Sequence, residues 1–166
     1  MFRNKACPGL RVGSFTCMDH RLYIAWIRYH LQNGVVRAKT ARPKHERCHR
    51  VGCMVACMKD INVSAVVCLG YPLKGINGAV RDETLLQLTV PTKFVQGSKD
   101  ALCPLEKLEA TRKKMKVPNE LHVIDGGDHS FKIGKKHLQA NNSTQDEAED
   151  VAVQAIAAFF FRSLEG

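Results

Sequence analysis

Three absences narrow the classes of protein to which this chain of 166 residues can belong. No apolar run reaches the roughly 20 residues that span a bilayer, and Met1 is not followed by the basic and then apolar segments of a signal peptide. No C-x-x-C pair occurs, and the seven cysteines are an odd number. We therefore expect an intracellular protein, cytoplasmic or nuclear, with reduced thiols and no membrane association.

Acidic residues are almost missing from the first 50 positions. Eleven Lys and Arg stand there against Asp19 and Glu46, a net charge of +9, whereas residues 51–166 are balanced. A basic segment can bind nucleic acid, with Trp26 and Tyr29 as stacking groups, and an acid-poor start is also typical of a transit peptide. A solvated, poorly ordered tail explains the same composition more simply, so nucleic acid is not the expected partner. We assign residues 1–49 to this segment.

Residues 50–166 alternate between strand and helix patterns. The apolar runs SAVVCLG, TKFVQG and LHVID predict three strands, of which the first is typical of a strand covered on both faces. VGCMVACMKD predicts a helix before the first strand, RDETLLQL and PLEKLEATRKKMK predict helices between the strands, and the polar stretch 132–144 predicts a loop. A final helix over 146–164 would bury a stripe of Val151, Ala155, Ala158 and Phe159. This order predicts an α/β fold with a mostly parallel sheet.

Four metal-ligating side chains cluster near the start of this region. Cys48, His49, Cys53 and Cys57 have residue types that zinc prefers. Cys53 and Cys57, however, are one turn apart on a helix that also carries apolar residues, so we favour thiols packed in the core. No cofactor and no metal are expected.

Two polar residues follow two of the predicted strands. Asp100 comes after TKFVQG, and His129 lies 29 positions later, after LHVID. That distance fits one strand-helix-strand unit, so a parallel sheet would bring both side chains to the same edge. An acid followed by a histidine is the second half of the Ser, Asp, His order of one class of hydrolases. Asp125 and Asp128 are too close in sequence to His129 to orient it readily.

The first half of that constellation is missing. No G-x-S-x-G sequence occurs anywhere in the chain. That sequence forms the strained turn that exposes a serine nucleophile.

Four segments together carry a resemblance to a known family. SAVVCLGYPLKG, RDETLLQL, PTKFVQGSKDALCP and LHVIDGGDHSF resemble the α/β-hydrolase-like group that includes testis-expressed protein 30 and subunit 3 of the nonspecific-lethal acetyltransferase complex. The similarity covers residues 50–166. It implies a partial α/β-hydrolase fold, namely its C-terminal strands and helices, and serine-hydrolase chemistry on a small ester or acyl substrate. It also implies that Asp100 is the triad acid and His129 the triad base.

The resemblance also shows which residues of the family's nucleophile motif are replaced in this chain. In the family, G-x-S-M-G-S precedes the helix equivalent to RVGCMVACM, and this chain has residues 44–49 there, with Glu46 at the nucleophile position. Lys44 and Cys48 replace the small neighbours that the turn requires, although Cys48 is itself a conceivable thiol nucleophile. We therefore expect a protein that is inactive as a serine hydrolase. The loss of similarity at Arg50 suggests an alternative start, an altered exon or a fragmentary gene model.

Two alternatives remain open. The first is a non-catalytic subunit of a chromatin-modifying complex, which would bind protein partners through an exposed edge of the sheet. The second is a basic nucleic-acid-binding protein, which would show steeply salt-dependent binding.

Overall fold

The computed structural model describes Cys53, Ala56 and Cys57, followed by residues 63–75 and 78–164. The expectations for residues 1–49, including Glu46, Cys48 and His49, lie outside these residues.

Three parallel strands form the sheet of this region: β1 (Val66–Leu69), β2 (Thr92–Gly97) and β3 (Asn119–Ile124), in the order β1-β2-β3. The strand β2 lies in the middle and is buried along its whole length, although its sequence TKFVQG includes the polar residues Lys93 and Gln96. Phe94 is in register with Cys68 of β1 and Leu121 of β3. The predicted α/β class and its three strands are confirmed.

Four helices follow β1 in the described region. They are α1 (Glu83–Leu86) between β1 and β2, α2 (Leu105–Arg112) between β2 and β3, and α3 (Lys135–Ala140) and α4 (Gln145–Leu164) after β3. None of the helices in this part of the chain is both long and apolar enough to cross a membrane.

Successive residues of β2 face two separate cores because side chains alternate along a strand. Phe94 packs in one core, among Cys53, Cys68, Tyr71, Leu73, Leu85, Leu88, Cys103 and Leu108. Val95 packs in the other, with Leu69, Ile124 and Phe131 and with Ala152, Val153 and Ile156 of α4. Cys53 is only 1% exposed, so it packs as a small apolar group, as expected.

One charged side chain is buried in the middle of the sheet. Lys93 is hydrogen-bonded to Glu120 of β3 at 2.9 Å, and its ammonium lies 5.9 Å from the centre of the Phe159 ring. Glu120 also accepts two hydrogen bonds from Arg162 near the end of α4, at 2.8 and 2.9 Å. This ion cluster connects β2, β3 and α4 at the side of the sheet that α4 covers.

Two stretches of the chain differ from what their sequences predict. The helix α2 ends at Arg112, short of Val117 and Pro118, because the Arg112 side chain hydrogen-bonds to Asn119 and the chain turns towards β3. The stretch 132–144, expected to be a loop, contains α3. None of the residues of α3 is buried, so its sequence has no apolar periodicity from which a helix could be predicted. The contact of His137 with Asp125 sets its position.

The buried face of α4 also differs from the expected stripe. Phe159 is buried as expected, but Val151 is 53% exposed and Ala158 faces solvent. The residues that pack on the sheet are shifted by one position and include Ala152, Val153, Ile156 and Ala157. The helix is apolar on several faces, so its sequence permits either stripe.

Candidate active site

The loops after β2 and β3 are joined by their backbones. The N–H of Ser98 donates to the carbonyl of Ile124 at 3.0 Å, and the N–H of Lys99 donates to that of Gly127 at 2.8 Å. The N–H of Asp100 then closes a turn on the carbonyl of Gly97 at 3.2 Å. These bonds hold the two loops at the carboxyl ends of neighbouring strands, where α/β folds place their sites.

Glycine allows a third strand to approach the same place. Gly70 directly follows β1 and has a φ of +61°, which glycine adopts at little cost. A Cβ on Gly70 would lie 3.3 Å from the carbonyl oxygen of His129 and 3.6 Å from Nδ1 of its ring. The end of β1 therefore forms one wall beside the histidine.

The loop that carries His129 is fixed by its own aspartate. Oδ1 of Asp128 accepts hydrogen bonds from the N–H groups of Ser130 and Lys132, at 2.8 and 2.9 Å. Phe131 has a φ of +62°, a strained conformation for a bulky residue, and its ring is buried in the core under α4. Asp128 thus shapes the loop through the backbone.

Asp100 and His129 are in direct contact. Nδ1 of His129 lies 2.8 Å from Oδ2 of Asp100. The Asp100 side chain is completely buried, whereas 31% of the His129 side chain is exposed. A buried acid that holds one nitrogen of a half-exposed imidazole is the arrangement by which hydrolases orient a general base.

The carboxylate of Asp100 receives hydrogen bonds on both oxygens. Oδ1 accepts from the N–H groups of Leu102 at 2.7 Å and Cys103 at 3.3 Å, and Oδ2 accepts from Gln96 as well as His129. Burial alone would raise the pKa of Asp100, but the bonds from His129, Leu102 and Gln96 outweigh it, and the pKa lies below its ordinary value of 3.8. The site therefore keeps a charged carboxylate beside the imidazole.

A second histidine and aspartate form a separate cluster nearby. Oδ2 of Asp125 lies 2.9 Å from Nε2 of His137, and Oδ1 of Asp125 accepts from the hydroxyl of Ser98 at 3.0 Å. The N–H of Gly126 donates to the same hydroxyl at 2.7 Å. Here the acid stands between the serine and the histidine, so the imidazole is not placed to take the serine proton. The cluster ties α3 to the loops after β2 and β3.

Cys103 lies directly behind the acid but does not have the properties of a nucleophile. Its side chain is fully buried, and burial together with the charge of Asp100 raises the pKa of its thiol to about 12. Nucleophilic cysteines react as thiolates, which this environment disfavours.

Sequence alone does not single out Gln96, which the structure brings to the acid. It is a polar residue in a strand that is buried along its whole length. That contrast is the available signal, since a buried polar side chain needs a partner.

The parallel sheet, the flanking helices and the acid and histidine at its carboxyl edge define a class of protein, the α/β hydrolases. A comparison with protein families agrees. The family described as the alpha/beta hydrolase domain matches residues 48–160. The chain belongs to this family.

Solved structures similar to this chain include an alpha-beta serine hydrolase homologue from Coxiella burnetii. It is 14% identical with a TM-score of 0.49, and the match covers 83% of this chain and 77% of that one. Another is Est1E from Butyrivibrio proteoclasticus, 17% identical with a TM-score of 0.42, with 84% and 72% covered.

Proposed function

We propose that Asp100 and His129 are the acid and the base of a site for ester or related acyl substrates, in a chain that lacks the serine to complete it. The observation that carries this proposal is the 2.8 Å contact between Nδ1 of His129 and Oδ2 of the buried Asp100. A carboxylate at Nδ1 favours the tautomer with its proton there, which makes Nε2 the basic nitrogen.

The chain lacks the serine nucleophile that α/β hydrolases carry in a G-x-S-x-G turn. The sequence holds no G-x-S-x-G, and Ser98 is hydrogen-bonded to Asp125 and Gly126 in the second cluster. An acid and a histidine can orient and move a proton, but acyl transfer also needs an activated hydroxyl or thiol. The unmodified chain is therefore proposed to be inactive as a serine hydrolase.

The direct test uses the purified full chain with an activated ester and a serine-directed phosphonate. We expect no burst of product and no covalent labelling. Labelling that is abolished by both H129A and D100N would show that a nucleophile does act at this site, and it would contradict the proposed inactivity. Labelling that neither substitution changes would remove the support for the catalytic pair.

A spectroscopic test examines the pair without requiring activity. In nitrogen-15 NMR of the imidazole, His129 is expected to carry its proton on Nδ1 at neutral pH, with a far-downfield resonance for that proton. D100N should abolish this signature, because the amide no longer offers a charged acceptor. D128N is the matched control, since Asp128 bonds only to backbone groups in the contacts described above. An unchanged His129 spectrum in D100N would contradict the proposed pairing.

A non-catalytic role is the second candidate. The absence of the elbow beside an intact acid and histidine supports it, as does the resemblance to subunit 3 of the nonspecific-lethal complex. In this case the domain would bind other subunits and convert no substrate. Stoichiometric co-elution with purified subunits of such a complex, retained in D100N and H129A, would support it. Elution as a separate species at micromolar concentration would count against it.

A further inference from the structure

We propose that Gln96 is a positioning residue that holds the carboxylate of Asp100 in the orientation required by His129. This inference rests on the proposed function, because it assigns Gln96 to the same acid and base. It extends the pair to a row of three hydrogen-bonded side chains, Gln96, Asp100 and His129, of which the first two are buried.

The geometry identifies which end of the amide acts. Nε2 of Gln96 donates to Oδ2 of Asp100, the same oxygen that contacts Nδ1 of His129. An ionised carboxylate can only accept hydrogen bonds, so the amide must direct its nitrogen, and not its oxygen, towards Asp100. The two donors thus occupy Oδ2 from two sides.

Gln96 donates to the oxygen of the Asp100 carboxylate that the backbone N–H groups do not contact. The N–H groups of Leu102 and Cys103 both bond to Oδ1, so they leave Oδ2 to the side chains. His129 is 31% exposed, whereas Gln96 is completely buried on the central strand. Gln96 is therefore the more rigid of the two donors to Oδ2, and it keeps this oxygen in place when the imidazole moves or changes its charge.

The oxygen of the Gln96 amide makes it possible to separate a positioning role from a contribution to the stability of the fold. Oε1 of Gln96 is buried and has no hydrogen-bond partner among the residues that the structure describes. An unsatisfied buried acceptor opposes folding. Replacing Gln96 by methionine removes this acceptor together with the hydrogen bond to Asp100, so the two effects on stability oppose each other. The loss of the hydrogen bond to the Asp100 carboxylate is not compensated in this way.

The test is carbon-13 NMR of the Asp100 carboxyl and proton NMR of His129 in the full chain and its Q96M variant. Loss of a hydrogen bond to a charged group should raise the titration midpoint of Asp100 by about one pH unit. The downfield resonance of the proton on Nδ1 of His129 should broaden or disappear through faster exchange with water. T92V is the matched control: Thr92 is equally buried on the same strand and donates to the carbonyl of Val90 at 3.1 Å, away from Asp100. It should change neither signal.

Q96L provides a second variant, which replaces the amide by a shorter, branched apolar side chain. It also lacks the donor and adds no charge, so it should raise the Asp100 midpoint as Q96M does. Whichever of the two variants retains the near-ultraviolet circular dichroism of the unmodified protein decides the outcome. An Asp100 midpoint and a His129 resonance unchanged in that variant would overturn the proposal. Failure of both variants to fold would also overturn it, because Gln96 would then serve folding.

The two proposals fail in different ways. The proposed function fails on the unmodified chain, through phosphonate labelling or through a His129 spectrum that D100N does not change. The positioning role fails on the Gln96 variants, through the titration of Asp100, which is measured without any substrate.

Discussion

Gly97 and Gly127 lie so close together that a Cβ on Gly97 would stand 2.3 Å from the carbonyl oxygen of Gly127. The same Cβ would be 2.4 Å from the carbonyl oxygen of Asp128, the residue before His129. Both neighbours are backbone atoms, which cannot rotate away as a side chain can. The contact between Asp100 and His129 therefore depends on a position where only glycine fits.

The first prediction concerns this contact. G97A should destabilise the protein by on the order of 3 kcal/mol, because the loops after β2 and β3 must separate. The His129 resonance should change with it. Urea unfolding measures the first effect and NMR the second.

G134A is the control for this substitution. Gly134 precedes α3, and a Cβ there would meet nothing within 4 Å. Its effect should stay within about 0.5 kcal/mol, as for ordinary surface changes. A G97A protein as stable as G134A would contradict the close approach.

The second prediction concerns pH. The pKa of Asp100 is lowered in the folded protein, so its charge contributes stability above the unfolded value near 3.8, and that contribution is lost as the pH falls through the folded pKa. D100N should be less stable than the unmodified protein at pH 6 by on the order of 2 kcal/mol. The difference should shrink below pH 4, where the carboxyl of the unfolded chain already takes up a proton. A difference that is constant from pH 6 to pH 3 would show that the charge of Asp100 does not matter.

The third prediction compares the two partners of a buried ion pair. The Lys93 side chain is 6% exposed and that of Glu120 is 39% exposed. E120A would leave the buried ammonium without its carboxylate and should cost about 2 kcal/mol or more. K93M should cost less, because a methionine packs beside Phe159 and Glu120 keeps Arg162 as a partner in water. Equal costs in chemical denaturation would contradict this asymmetry.

The fourth prediction concerns the thiols. Cys68 and Cys103 are buried; the pKa of Cys68 is raised, first by its contact with Cys53 and then by burial, and that of Cys103 is raised to about 12. Both should resist iodoacetamide at pH 8 in the native protein and react in urea. Cys57 is only partly buried and should react sooner, although burial raises its pKa too. Peptide mass spectrometry separates the sites, and rapid labelling of Cys103 before unfolding would refute the prediction.

The sequence by itself determined the sheet and the placement of the two polar residues at its edge. Short, mainly apolar runs bounded by glycine and proline favour buried strands, and their spacing fits the parallel arrangement that β1, β2 and β3 adopt. Asp100 and His129 each follow one of these runs, so the parallel direction of the strands was enough to predict that both lie at the same edge of the sheet. The catalytic role of this pair and the division at residue 49 stay predictions.

Only the tertiary structure decided the rest. The short polar helix α3 has no buried residue, so no pattern in its sequence distinguishes it from a loop, and its contact between His137 and Asp125 forms only when the chain is folded. The helix α4 is apolar on more than one side, so the sheet selects which stripe is buried. Gln96 becomes part of the site because strand alternation and the turn at Gly97 place its amide beside Asp100. Each of these features depends either on a partner that is distant in sequence or on the geometry of a turn. The local periodicity of the sequence encodes neither.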